Sequence, residues 1–73
     1  MSQTISLYAL FHKRAHTSTT VLGVEYPNWQ RQAGPGYPRE RAERIFEVRL
    51  RNTARYELRV VGRTKVHSGV QLY

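Results

Sequence analysis

The 73 residues carry twelve Lys and Arg against five acidic residues, all Glu, for a net charge of +7, and they include no cysteine. A chain this short makes one domain and buries only roughly 60–65% of the surface exposed on unfolding. Its composition excludes a disulfide framework, a thiolate metal site, a Ser-His-Asp triad, a cysteine nucleophile and an aspartate pair.

Residues 4–12 read as a first strand, with Ile5, Leu7, Ala9 and Phe11 on one face and Tyr8 and Leu10 on the other. Apolar residues on both faces require a central strand, or a second face that something covers. The polar, basic stretch 12–18 reads as a loop. His12 and His16 are four apart, but no third ligand lies near them and His67 is remote, so no metal is expected. Residues 19–26 are β-branched and read as a second strand, in which Gly23 marks a bulge or a close approach. Residues 27–38 hold three prolines and two glycines, and are expected to form a long irregular loop. The only tryptophan, Trp29, lies there with Arg31 and Tyr37. It either folds back as a lid on the core or serves as an aromatic anchor for a partner.

Pro38 to Arg44 has the marks of a short helix, with proline at its start and Glu40 four residues before Arg44. From Ile45 to Val61 two arms alternate: Phe46, Val48 and Leu50 with Glu47, Arg49 and Arg51, then Tyr56, Leu58 and Val60 with Arg55, Glu57 and Arg59. This pattern predicts a β-hairpin turning at 52–54, with Arg49 opposite Glu57 and Glu47 opposite Arg59. A rival reading carries the helix on to Asn52, with Ala42, Ile45, Phe46 and Leu50 on one stripe, but leaves Val48 among charges. Gly62-Arg63 is expected to turn the chain into a last strand over 64–73. Together these elements predict a β-rich α+β fold in a single domain, 1–73. The sheet is expected to be small and antiparallel, or a partly open barrel, of four to five strands with one short helix near 38–44.

The glutamates interleave with arginines, as structural ion pairs do, and Gly34-Pro35-Gly36 lacks the Gly-Lys-Ser/Thr ending of a phosphate loop. The chain therefore reads as a binding protein, not an enzyme, with no cofactor. Its cationic field favours anionic partners, and ten of its twelve basic residues are arginine, whose planar fork suits carboxylate or phosphate. The candidate partner-binding residues are Trp29, Arg31 and Tyr37 on the loop, Arg39, Arg41 and Arg44 beside it, and Arg49, Arg51 and Arg55 on the outer face of the hairpin. The same arginine-rich hairpin and aromatic loop leave direct binding of DNA or RNA as the alternative. No apolar run is long enough to span a membrane and the N-terminus lacks a basic leader, so a soluble cytoplasmic protein without a membrane partner is expected.

In Leu7-Tyr8-Ala9-Leu10-Phe11-His12 and Tyr26-Pro27-Asn28-Trp29-Gln30, together with its size, basic balance and lack of cysteine, the chain resembles the small phage-encoded regulators that bind host RNA polymerase. The resemblance implies a protein of the host bacterial cytoplasm that docks on polymerase subunits. It further implies that the protein hinders initiation by interfering with the σ factor and alters termination; weak contact to nucleic acid is a separate expectation, from the net charge.

Overall fold

The structure, a computed structural model, describes residues 2–67. Its elements are β1 (Ser2–Val21), β2 (Val24–Arg31), α1 (Arg39–Ile45), α2 (Glu47–Leu50) and β3 (Tyr56–His67). The strands form an antiparallel sheet in the order β2-β1-β3. The fold is β-rich α+β as expected, but with three strands among the described residues and two short helices.

The central strand β1 serves two ribbons in succession. Its first part, Ser2 to His12, pairs with β3; its later part, Phe11 to Lys13 and Ser18 to Val21, pairs with β2. Only Phe11 and His12 pair with both β3 and β2, while Tyr8, opposite Val60 on one side, bridges to Tyr37 on the other. The core lies at this crossing, where Ala9, Leu10 and Phe11 are buried. Adjacent strand residues point to opposite faces, so the two fully buried side chains, Leu10 and Phe11, need a cover on each side. The two-faced apolar pattern of this segment is thus that of a central strand. Each of these side chains contributes about 1.5–3 kcal/mol on burial.

On one face, Tyr8 and Leu10 stand beside Val60 and Leu58 of β3. The helices lie over this face: Ala42 of α1 is buried, the Arg39 guanidinium sits 5.4 Å from the Tyr8 ring centre, and Leu50 shares a cleft with Tyr56 and Leu58. On the other face Phe11 meets the ring of Tyr26 edge-on at 5.5 Å.

The predicted loop at 12–18 belongs to β1, with a register shift between Lys13 and Ser18. His16 (φ 63°) and Asn28 (φ 65°) take left-handed conformations at this irregularity, and the His16 N–H donates to Asn28 Oδ1 at 3.2 Å. A bulge that satisfies its own backbone keeps the strand going where polarity alone suggests a break. The predicted second strand, 19–26, is instead the end of β1, a turn at Leu22-Gly23 and the start of β2, with Val21 paired to Val24. Both turn residues have positive φ, 52° and 78°, as in a type I′ hairpin turn. Leucine in that conformation costs about 1–2 kcal/mol. The irregular segment is shorter than expected, since residues 27–31 belong to β2.

The hairpin expected over 45–61 does not form. The Phe46 N–H donates to Ala42 O at 3.0 Å and the Leu50 N–H to Phe46 O at 2.9 Å, so the helical repeat runs through the break at Phe46. Arg39–Glu43, Glu40–Arg44 and Glu47–Arg51 are ion-paired at four-residue spacing. The strand reading rests on alternation and on the matched charges of the two arms. Alanine, glutamate, arginine and leucine all favour helix, and the 42-46-50 stripe buries as a helix face. Gly62-Arg63 does not turn the chain but continues β3, while positions 68–73 of the predicted last strand lie outside the described residues.

Candidate protein-docking surface

The two aromatic candidates belong to the fold. Trp29 is half-buried in β2, its carbonyl accepts from Thr19 Oγ1 at 2.9 Å, and the Arg59 guanidinium lies 5.4 Å from its ring centre. The lid is the reading of Trp29 that fits this geometry. Tyr37 is bound to Tyr8 by two backbone hydrogen bonds of 2.6 and 2.9 Å, and its ring packs edge-on against Phe46 at 6.3 Å. It guides the chain from β2 into α1. Arg31 is also half-buried and donates from Nη2 to Gly34 O at 3.1 Å, which closes the segment after β2.

The arginines separate into two groups. Arg39, Arg44 and Arg51 make exposed ion pairs, at 3.3, 3.5 and 3.9 Å, and pairs of this kind contribute little to stability. A side-chain contact with Tyr8, with Glu43 behind it, raises the pKa of Arg39 above its ordinary value. Arg41, Arg49 and Arg55 have no carboxylate partner among the described residues. The guanidinium of Arg41 lies 5.5 Å from the centre of the Tyr37 ring. Arg49, Arg51 and Arg55 do not share a hairpin face: the first two lie on or just after α2, and Arg55 lies in the turn before β3, where its carbonyl accepts from Lys13 N–H at 2.8 Å.

The helices bring together a surface that the sequence reading did not assemble. Positions 41, 45 and 48, and likewise 44 and 48, are three or four apart and therefore neighbours on one side of a helix. Ile45 is 47% exposed and Val48 is 74% exposed. The result is a small apolar centre flanked by Arg41, Arg44 and Arg49. Ile45 and Val48 were absent from the candidate set because the hairpin reading turned Val48 inward. The signal was present in the helical alternative, which leaves Val48 among charges.

On the other side of the helices, an open cleft of about 330 Å³ is lined by Arg39, Glu43, Leu50, Thr53, Tyr56, Glu57 and Leu58. Among the described residues no three His, Cys, Asp or Glu side chains gather to hold a metal ion, and no helix is long and apolar enough to cross a membrane. No protein family matches this chain, and no curated protein or solved structure is similar to it.

Proposed function

We propose that this chain is a non-enzymatic docking protein that binds host bacterial RNA polymerase and regulates transcription. In this reading it inhibits initiation by interfering with the σ factor and alters termination. The observation that carries the docking is Val48, an apolar β-branched side chain left open to solvent near Ile45, with Arg44 one helical turn before Val48 and Arg41 and Arg49 one turn either side of Ile45. An apolar centre with an arginine rim is the composition of a protein contact: the centre excludes water and the rim selects and steers an acidic partner. Residues 39–51 hold five arginines and three glutamates, so the helical surface remains cationic after its ion pairs are counted. The choice of polymerase as partner rests on the resemblance to phage-encoded regulators.

A tagged pull-down from nuclease-treated bacterial lysate tests this function. Retention of polymerase by the parent, and its loss with Val48→Glu, is the expected result. Loss of every partner on nuclease treatment would overturn it.

A second reading, direct binding of nucleic acid, is favoured by a different cluster. Lys13 and Arg55 are joined through their backbones, Arg14 is adjacent, and none of the three has a carboxylate partner among the described residues. A direct binder holds DNA or RNA at physiological salt with a steep salt dependence; a docking protein releases it there.

A further inference from the structure

We propose that the tip of the β1–β2 hairpin, Val21-Leu22-Gly23-Val24, is a second contact element: an apolar finger that enters a nonpolar, basic-rimmed pocket on a partner protein. Two independent features of the tip support this. Leu22 is 57% exposed and Val24 is 50% exposed, where hairpin turns ordinarily carry Asn, Asp or Gly. Leu22 is also held at φ 52° before Gly23 at φ 78°. That is the conformation Asn-Gly adopts readily and leucine resists. Leucine is thus a poor residue here for both the backbone and the solvent, and folding does not account for it. Backbone strain of this kind collects at ligand contacts.

The surrounding charge selects the class of partner. Between Arg14 and Arg31 the chain has no lysine or arginine. Glu25, next to Val24, is the one glutamate without an ion pair among the described residues. A phosphate backbone or an anionic bilayer would meet this carboxylate and find no cation on the finger. A nonpolar protein pocket edged by lysine or arginine satisfies both the tip and Glu25. Its sign is opposite to that of the Arg41–Arg44–Arg49 rim, so the two elements fit different surfaces and together fix the partner's orientation. α1 packs on β1 at Tyr8, whose ring centre lies 5.4 Å from the Arg39 guanidinium, and α2 packs on β3.

The inference rests on the docking function proposed above, and the test separates the two. Purified bacterial core RNA polymerase is immobilised as the probe, and the parent, Leu22→Asn and Glu25→Lys are compared for binding and thermal melting. Leu22→Asn supplies the residue the turn prefers. It is expected to melt at or above the parent while losing at least tenfold in affinity through faster dissociation. Glu25→Lys is expected to weaken binding several-fold at low salt. The finger is overturned if Leu22→Asn binds as the parent does, if it melts earlier than the parent, or if Glu25→Lys binds more tightly. A parent that does not bind core polymerase overturns the polymerase function itself and the finger's assignment with it, an outcome distinct from a variant that binds like a binding parent.

Discussion

The guanidinium of Arg59 lies over the ring of Tyr26, 4.3 Å from its centre, and so ties one edge strand of the sheet to the other. Arg59 sits opposite Ala9 of β1, and this small residue leaves room for the arginine stem to cross the sheet. Beyond Tyr26 the same guanidinium reaches to 5.4 Å from the Trp29 ring centre, and Glu57 pairs with it from two residues back along β3. Stacked in this way, Tyr26, Arg59 and Trp29 close the sheet face that no helix covers, and Phe11 is buried beneath them. Long amphipathic side chains can cover apolar surface with their stems while keeping the charged head near water.

Arg59→Ala should therefore destabilise the protein by about 1–2 kcal/mol, lowering the melting temperature by about 5–15 °C. Trp29→Ala should cost at least as much. Both are read by thermal unfolding, with the near-ultraviolet dichroism of Trp29 reporting the stack in the Arg59 variant. A Trp29→Ala protein that melts with the parent would remove Trp29 from the lid.

Gly36 lies where a side chain cannot fit. A Cβ there would stand 2.8 Å from Leu7 Cβ and 3.1 Å from Val61 Cγ2. Gly36→Ala should cost about 1–3 kcal/mol through overpacking, whereas Gly23→Ala should destabilise through its positive φ with no clash. Urea unfolding of the two variants measures the costs. The clash at Gly36 is relieved by the double variant Gly36→Ala with Val61→Ala only if Leu7 also shifts, so recovery should be partial.

Val48→Ala and Phe46→Ala distinguish helix from hairpin. In α2 the Val48 side chain touches solvent, so its removal should leave stability unchanged or raise it by up to about 0.5 kcal/mol through helix propensity. Phe46 is half-buried and packed on Tyr37, and its truncation should cost about 2 kcal/mol or more. In a hairpin both would be inward and both would be costly. Denaturant midpoints with unchanged slope decide the comparison.

Arg41→Ala combined with Arg49→Ala should leave the melting temperature within a few degrees of the parent, because neither guanidinium holds a carboxylate among the described residues. If these arginines steer an acidic partner, association with core polymerase should slow at low salt. The difference should shrink as ionic strength rises, while dissociation changes little. Stopped-flow or surface-binding kinetics over a salt series supply the measurement.

Several features of the fold were legible in individual residues. The apolar run Tyr8-Ala9-Leu10-Phe11 called for a central strand or a covered second face because both parities are nonpolar, and the structure makes it the central strand at the crossing of two ribbons. Pro38 and the Glu40–Arg44 spacing marked α1. Of the site, Arg41, Arg44 and Arg49 were named, but the apolar residues that make a surface of them were not. The alternation of Phe46, Val48 and Leu50 fits a strand and equally fits a helix with one residue turned outward. Local pattern cannot rank the two when packing against Tyr37 and β3 decides.

The sequence by itself determined the charge, the absence of cysteine and aspartate chemistry, the two-faced first strand and the start of the helix, because these depend on composition or on contacts between residues a few positions apart. Only the tertiary structure placed Trp29 in β2 beside the Arg59 guanidinium rather than on a loop, since Arg59 is thirty positions away and on the opposite edge strand. It alone showed that Leu22 and Val48 face water, because exposure reports what the rest of the chain fails to cover, and no local pattern states that.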